Sequence, residues 1–252
     1  MELATRLPGT DLGSPHGVTT QDKYVHELWT VSYLFSVPIG LLVLGLILWC
    51  VFRYRDKGDG SGGGPGGGRT PAQFQYHIPL EAAYTIIPLV IVAILFGFLY
   101  SAENHVDSIS KTPAIKITVE GFQWGWRFDY PNGHKQVGTV ANELDINSEQ
   151  NLPVLVIPDN ETVQLHVVSL DVVHTFYVPE FLFQRDLIPG IDNTFDINPT
   201  TPGIYPGQCN NICGEYHAYM RFLVDVMPPS EFNTWYSQQA PNSITTAGEP
   251  QS

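Results

Sequence analysis

The residues best suited to chemistry lie in one short stretch, residues 207–220, which has the pattern Cys-x3-Cys-x3-His-x2-Met. Its potential ligands are Cys209, Cys213, His217 and Met220. Thiolate, thioether and imidazole groups together are soft to borderline ligands, and such a set selects copper. A single cysteine in such a loop would indicate a mononuclear blue-copper site. Two cysteines indicate more, because each thiolate can bridge two metal ions and hold them in one rigid core.

The set needs a second imidazole from another part of the chain, and His174 is the candidate. It lies at one end of an apolar run that stops before Pro179, a position typical of a strand end. The competing interpretation of Cys209 and Cys213 is a disulfide, which the oxidising space outside a cell membrane permits. A disulfide would leave the regular spacing of the histidine and methionine unexplained, so copper is the preferred interpretation.

The composition restricts the classes of protein in which this motif could function. The chain has 252 residues and a formal charge of −13. A nucleic-acid binder gains affinity by neutralising phosphates, so this charge makes that class a poor fit and favours cationic partners. Only 15% of the residues are charged, against about 25% in an ordinary soluble domain. Part of the chain is therefore expected to lie outside water.

Two uncharged apolar stretches, residues 29–52 and 82–102, are long enough to cross a bilayer, which needs about 20 residues. The alternative, a pair of buried core helices, would need a large core around both of them. The segment between the stretches carries fixed positive charges, and the positive-inside rule places it in the cytoplasm with both chain termini outside. These charges are Arg53, Arg55, Lys57 and Arg69.

The part of the chain after the second stretch carries nearly all of the excess charge. Residues 103–252 hold 18 acidic and 6 basic side chains, a net charge of −12. Short alternating apolar runs separated by turn residues predict a β-sandwich or barrel there. A short helix with Ser230 as its N-cap and with Phe232, Trp235 and Tyr236 on one face should follow, and then a loose polar tail. The apolar runs are residues 115–119, 152–157, 163–170, 191–197 and 221–226.

Four further motifs accompany the metal loop of residues 207–220. They are Glu-Ala-Ala-Tyr-Thr-Ile-Ile-Pro at 81–88, Gln-Trp-Gly-Trp at 123–126, Asp-Val-Val-His at 171–174 and Asp-Leu-Ile-Pro-Gly at 186–190. With these motifs the chain resembles subunit II of haem–copper cytochrome c oxidases along nearly its whole length. The metal loop is the most specific match, and the other four support it.

The resemblance implies a membrane α-helical hairpin of two transmembrane helices plus an all-β, cupredoxin-type Greek-key barrel. It also implies a mixed-valence dinuclear copper centre (CuA) with two copper ions in the outer domain. The implied ligands are His174, Cys209, Cys213, His217, Met220 and the main-chain carbonyl of Asn211.

The same resemblance divides the chain into six segments along its length. The transmembrane helices occupy residues 28–52 and 80–102 and flank a cytoplasmic glycine-rich loop. The other implied segments are an outer N-terminal segment at 1–27, the loop at 53–79, the copper domain at 103–228, and a short C-terminal helix with a polar tail at 229–252.

Two residues depart from the family's pattern. Asn211 stands where the family usually has Glu, whose carboxylate also reaches a magnesium or manganese ion at the contact with the catalytic subunit. The carbonyl role survives, but a neutral amide is a weaker ligand for a hard cation, so the magnesium or manganese site is left open. Glu215 lies nearby in the loop as a candidate replacement. Gly125 stands where the family usually has an aromatic residue, so the docking surface is expected to differ in shape.

The resemblance also implies roles for residues outside the metal loop. Trp124 matches the tryptophan through which electrons enter; the alternative is a core aromatic, which describes Trp126. Asp129 and Asp171 match acidic positions of the cytochrome c docking face, and the alternative for each is a solvated surface acid. Glu81 matches the mouth of a proton path into the catalytic subunit. Its alternative is a helix-boundary residue favoured by the helix dipole.

The implied function is that of an electron-transfer subunit of cytochrome c oxidase, in which subunit I reduces oxygen and pumps protons. The partners would be subunit I, further oxidase subunits, membrane lipid, and cytochrome c or a tethered c-type haem domain. The implied location is the bacterial cytoplasmic membrane with the copper domain outside, in preference to the mitochondrial inner membrane. The alternatives are a structural quinol-oxidase subunit without copper, the CuA domain of a nitrous oxide reductase-like enzyme, and a membrane-tethered copper chaperone.

Overall fold

A computed structural model describes residues 17–55, 75–139 and 152–246 of the chain. The contacts within it divide the chain into two units. One unit is Glu27–Ser101, and the other comprises the described residues before and after it. Lys57, Arg69 and most of the predicted cytoplasmic loop lie outside the described residues, so that loop stays a prediction.

The first unit contains most of two long helices, α1 at Asp22–Arg53 and α2 at Ile78–Val106. Each helix has an acidic residue in its first turn, where the positive end of the helix dipole favours it. Their most apolar windows are entirely unburied within the structure, and by length and composition both helices could cross a membrane. Both predicted apolar stretches lie within these helices. Apolar surface of this extent needs lipid or partner helices to cover it.

The second unit is built on two β-sheets. The strands are β1 Ile115–Phe122, β2 Gly125–Asp129, β3 Lys135–Thr139, β4 Val154–Pro158, β5 Val163–Ser169, β6 His174–Val178, β7 Phe183–Leu187, β8 Asn193–Ile197, β9 Gly203–Cys209, β10 Arg221–Met227 and β11 Ile244–Thr246. The six-stranded sheet has the order β11-β3-β2-β1-β5-β8, and the five-stranded sheet has the order β4-β10-β9-β6-β7. The predicted fold class, two apolar helices and an all-β domain, is therefore confirmed.

The five runs read from the sequence correspond to β1, β4, β5, β8 and β10. Alternation is plain in β1 and β10, in which every second residue is buried. The other strands carry glycine, proline or polar residues that weaken the two-residue period, as in β9. The pairing of β1 with β5 and of β4 with β10 is parallel, so each pair joins strands that are not neighbours in sequence.

The core between the sheets is rich in aromatic rings. Trp126, Phe176 and Phe222 are fully buried, and the ring centroids of Trp126 and Phe176 lie 5.0 and 4.9 Å from that of Phe222. Burial of each such side chain contributes about 2–3 kcal/mol. Because β6 carries Phe176 and also begins at His174, this packing fixes the strand that presents the predicted histidine ligand.

The C-terminal helix, α3, spans Pro229–Gln238, and the predicted Ser230 cap is wrong. Pro228 is the N-cap residue and makes no side-chain capping bond, while Ser230 lies inside the first turn. The reason is that proline suits the first helical position, and Pro229 takes it. The expected aromatic face is present, because Phe232 is buried and the ring of Trp235 contacts Tyr130.

Part of the tail that was expected to be loose is ordered. Strand β11 pairs in parallel with β3, and Ser243 accepts a main-chain hydrogen bond from Lys135. The polar composition of this tail concealed a strand whose partner lies about a hundred residues away in sequence. Such an edge strand is stabilised mainly by main-chain bonds, which composition does not report.

The segment that precedes α1 packs on the β-domain. Thr19 forms an isolated antiparallel bridge with Pro199, and the N–H of Thr20 donates to the carbonyl of Asn198 at 2.9 Å. The side chain of Gln21 donates to the carbonyl of Asp196 at 3.2 Å. The described N-terminal residues therefore belong to the same unit as the β-domain, as their bonding requires.

Candidate metal centre

A β-hairpin and a neighbouring strand bring the predicted ligands together. Strands β9 and β10 are antiparallel, and the metal loop joins them. The N–H of Cys209 donates to the carbonyl of Met220 at 2.9 Å, so the two ends of the loop are bonded to each other. Strand β6 pairs with β9 so that Phe176 lies opposite Cys209, and this register places His174 beside the loop.

The donor atoms form one continuous cluster around the two sulfur atoms. Nδ1 of His174 lies 3.9 Å from Sγ of Cys209, and the carbonyl oxygen of Asn211 lies 3.3 Å from the same sulfur. Sγ of Cys213 lies 3.6 Å from Nδ1 of His217 and 3.8 Å from Sδ of Met220. The structure therefore brings together all six donor groups that the resemblance implies.

Both cysteines are free thiols in the structure, and their sulfur atoms lie 3.8 Å apart. Their sulfurs and Nδ1 of His174 all lie within 4.8 Å of one another, and these three residues are buried. A buried set of two sulfurs, an imidazole and a thioether fits a soft or borderline metal such as copper. It fits a hard cation poorly, because those cations take oxygen ligands.

The two thiols differ in acidity because they are close together. Burial alone would raise the pKa of Cys209, but hydrogen bonds with the ring of His174 and with the backbone of Asn211 lower the pKa to about 6. Burial and the neighbouring charge of Cys209 raise the pKa of Cys213 to about 12. The negative charge of one thiolate therefore disfavours ionisation of the second thiol. A bound cation would offset that repulsion and allow both to be charged.

His174 is held on its far side by Asp171. Oδ1 of Asp171 lies 2.8 Å from Nε2 of His174, which leaves Nδ1 facing the sulfur of Cys209. Burial lowers the pKa of His174, but its bonds with Cys209 and Asp171 outweigh burial and raise it. A carboxylate behind an imidazole is the usual arrangement that orients a histidine toward a metal.

Trp124 lies against the metal loop. Its ring meets that of Tyr216 edge-on with the centroids 4.9 Å apart. A Cβ atom added to Gly214 would lie 2.8 Å from Cζ2 of Trp124, and Gly214 has φ +131°. Only glycine combines that backbone conformation with so close an approach. The position fits the predicted role of Trp124, whereas Trp126 is fully buried in the core as expected.

The departure at Gly125 has a local cause in this structure. Gly125 pairs with Thr139 across β2 and β3, and a Cβ atom there would lie 2.3 Å from the carbonyl oxygen of Gly138. It would also lie 2.9 Å from the ring of Phe122. An aromatic side chain would therefore need the β2–β3 pair to move.

The two predicted docking acids make bonds within the β-domain. Oδ1 of Asp129 lies 3.1 Å from Nε of Arg127, and Oδ2 lies 3.1 Å from Nζ of Lys135. Asp171 uses both carboxylate oxygens, for His174 and for the N–H of Gln123. These bonds explain the lowered pKa of Asp171: burial raises it, and the bonds outweigh burial.

Glu81 forms part of a helix cap, whatever its further role. Its Oε1 accepts the N–H of His77 at 2.8 Å, and Nδ1 of His77 lies 3.2 Å from the nitrogen of Leu80, whose N–H points to it. This reciprocal arrangement stabilises the start of α2. It agrees with the alternative of a helix-boundary residue, and the proton-path role stays a prediction.

Sequence reasoning did not single out Gln123 or Tyr216. Nε2 of Gln123 donates to the carbonyl of Cys213 at 2.8 Å, and the ring of Tyr216 packs on Trp124. The only signal available was position, since Gln123 adjoins Trp124 and Tyr216 lies within the metal loop. A glutamine beside a tryptophan and a tyrosine within a loop are both common, so position alone could not separate them from residues without a role.

Known proteins resemble this chain in sequence. Residues 115–227 match the family described as cytochrome c oxidase subunit II, periplasmic domain. The probable cytochrome c oxidase subunit 2 of Nocardia farcinica is 30% identical over 283 residues, covering 90% of this chain and 74% of that protein. The probable cytochrome c oxidase subunit 2 of Streptomyces coelicolor is 33% identical over 255 residues, covering 88% and 76%. A solved structure, the periplasmic domain of subunit II of cytochrome oxidase from Bradyrhizobium japonicum, is 28% identical with a TM-score of 0.45, covering 52% of this chain and 96% of its own.

Proposed function

This chain belongs to the family of cytochrome c oxidase subunit II, and from that premise we propose that it is the electron-transfer subunit of a terminal oxidase. It accepts electrons from cytochrome c, or from a tethered c-type haem domain, at a dinuclear copper centre. It passes them to haem in subunit I, where oxygen is reduced to water and protons are pumped. Magnesium or manganese at the contact with subunit I is held weakly.

One observation carries this proposal. Two buried cysteine sulfurs lie 3.8 Å apart, and four further donor groups of the right chemistry lie around them. The copper pair, when bound, supplies one-electron chemistry with little change in geometry. The protein contributes a rigid frame, because β9 is hydrogen-bonded to both β10 and β6, and these strands carry or flank the predicted ligands. His174 is oriented by Asp171, and burial of the sulfurs excludes water from the site.

The contacts of the N-terminal residues support the proposed placement in the membrane. Residues 17–26 and the β-domain belong to one unit, so the start of α1 and the end of α2 are both attached to it. If both helices cross the membrane, the segment between them lies on the opposite side. Arg53 and Arg55 stand at that end of α1, so the positive-inside rule supports a cytoplasmic loop and an outer copper domain.

The competing functions fit the structure less well. A structural quinol-oxidase subunit would not need the converging donor set. A nitrous oxide reductase-like domain would not need two helices long enough to span a membrane. A copper chaperone must release its metal, whereas four of the six donor residues are buried, and the donors come from separate segments that would have to part.

The direct experiment is to purify the full-length chain in its membrane complex and measure copper by elemental analysis and EPR. We expect two coppers per chain and a delocalised mixed-valence signal. His174→Ala should abolish that signal, whereas His166→Ala, at a half-exposed histidine on β5, should leave it intact. One copper per chain, or a Cys209–Cys213 disulfide in the metal-loaded protein, would contradict the proposal.

A further inference from the structure

Gln123, the residue before Trp124, is hydrogen-bonded toward both segments that carry predicted ligands. Its Nε2 donates to the carbonyl oxygen of Cys213 at 2.8 Å. Its main-chain N–H donates to Oδ2 of Asp171 at 2.6 Å, and Oδ1 of the same carboxylate lies 2.8 Å from Nε2 of His174. The residue next to the tryptophan is thus joined directly to one ligand and through Asp171 to another.

Trp124 itself is held by packing rather than by polar bonds. Its Nε1 is buried and has no hydrogen-bond partner within the described part of the chain. The indole rests on Gly214 and against the edge of Tyr216. The orientation of the indole ring therefore depends on the residues that surround it. Gln123 precedes Trp124 in the chain and is itself held by hydrogen bonds.

We propose that Gln123 is the positioning residue that couples Trp124 to the metal loop. The proposal rests on the proposed function, since it concerns how electrons reach the same site. Electronic coupling weakens steeply across a gap between unbonded atoms. The route from Trp124 through Gln123 to Cys213 replaces such a gap with covalent bonds and one hydrogen bond. The same bond keeps the loop and the ring in contact.

The chain offers a matched control for this residue. Gln184 is also an exposed glutamine bonded to the metal loop, since its Oε1 accepts the side-chain amide of Asn210 at 2.7 Å. That bond involves a side chain and not the carbonyl of a ligand residue. Gln123→Met and Gln184→Met therefore remove one amide each from the same loop. Gln123→Lys restores an N–H donor of similar reach.

The measurement is electron uptake by the full complex from reduced soluble cytochrome c, followed over a range of donor concentrations, with EPR recorded on each variant. In Gln123→Met we expect the uptake rate at saturating donor to fall about 10-fold or more. The donor concentration for half-saturation and the copper signal should stay unchanged. Gln184→Met should behave like the unaltered protein, and Gln123→Lys should recover most of the saturating rate.

Several results would overturn the coupling role. The coupling role fails if the uptake rate of Gln123→Met at saturating donor stays within twofold of that of the unaltered protein. It also fails if only the donor concentration for half-saturation changes, because that result indicates a role in docking. Equal slowing in Gln184→Met would indicate general loosening of the loop. Loss of the copper signal in Gln123→Met would assign the residue to building the site. The proposed function fails separately, if the unaltered complex has no two-copper signal.

Discussion

Asp171 accepts hydrogen bonds through both carboxylate oxygens, one from His174 and Val172 and the other from Gln123. A carboxylate with these partners acts first on the orientation of the histidine, and its effect on a docking donor is secondary. Asp129 is likewise flanked by two cationic side chains, Arg127 and Lys135. At the residue scale, therefore, Asp171 serves the geometry of the site, whereas Asp129 forms ion pairs within the β-domain.

Gly214 provides the first test at this scale. A Cβ atom in Gly214→Ala would meet the indole of Trp124, so the ring should shift and electron uptake from the donor should slow at unchanged copper content. Gly190→Ala is the control, because Gly190 also has positive φ (+77°) but has open space around the added carbon. Both variants should lose about 1 kcal/mol of stability from backbone strain. Equal uptake rates in the two variants would show that the contact with Trp124 is immaterial.

Asn211 provides the second test. Its main-chain carbonyl lies beside Cys209, but its side chain is a neutral amide, and Mg²⁺ usually holds one or two protein carboxylates. We expect Asn211→Glu to tighten magnesium or manganese at the contact with subunit I without changing the copper signal. Manganese EPR on cells grown in high Mn²⁺, after matched chelator treatment, measures this. Equal occupancy would mean that Glu215 or the partner subunit already supplies the charge.

At the element scale, strand pairing decides where each ligand lies. Strands β9 and β10 close the metal loop, and the pairing of β6 with β9 adds His174. Helix α3 packs beside β4, the neighbour of β10 in the sheet, and its aromatic side chains pack toward Tyr130. A change in the stability of β10 should therefore reach the copper site through the hairpin.

Asp225 on β10 allows that stability to be tested. Burial and the nearby charge of Glu231 raise its pKa above the ordinary value. The folded state therefore holds the proton more tightly than the unfolded state, so stability falls as the pH rises from the unfolded pKa through the raised folded pKa. We expect Asp225→Asn to stabilise the β-domain at pH 7, and the gain to shrink as the pH falls into that range.

Thermal unfolding at several pH values measures this effect. Asp192→Asn is the control, because the side chain of Asp192 is 84% exposed and its Oδ1 lies 3.6 Å from Nε2 of His166. A stabilisation of equal size in both variants would indicate a general effect of net charge. In that case burial at Asp225 would not be its cause.

At the scale of the whole molecule, charge and apolarity are separated. The apolar residues of the first unit need lipid or partner helices to cover them, while residues 103–252 carry a net charge of −12. Such a charge attracts a basic donor over distances limited by screening, about 10 Å at 0.1 M salt. The hydrogen bonds and ion pairs that individual acids make within the domain do not change its net charge, so this long-range attraction remains.

Salt dependence tests this separation. The association rate with a soluble cationic cytochrome c should fall steadily as salt rises, since screening removes long-range attraction. Reduction of the same complex by a small neutral reductant should not depend on salt. A salt-independent rate with the cytochrome would favour a tethered donor, which needs no attraction over a distance.

Residue types and their spacing along the chain are enough to predict the potential ligands within the loop, the two apolar stretches and the alternating strands. These are local properties, set by side-chain chemistry and by the periods of strands and helices. Sequence reasoning misplaced the cap at Ser230, because proline at the first helical position outweighed the hydroxyl.

Other features depend on contacts between residues that are far apart in the chain. The approach of His174 to Cys209, the bonds of Gln123 to Cys213 and Asp171, and the parallel pairing of β11 with β3 all link residues far apart in sequence. Such contacts depend on how two sheets pack and on the register of distant strands, and neither is encoded in any local pattern. The types of donor in the metal loop could therefore be predicted from the sequence. The bonds of Gln123 beside Trp124 could not.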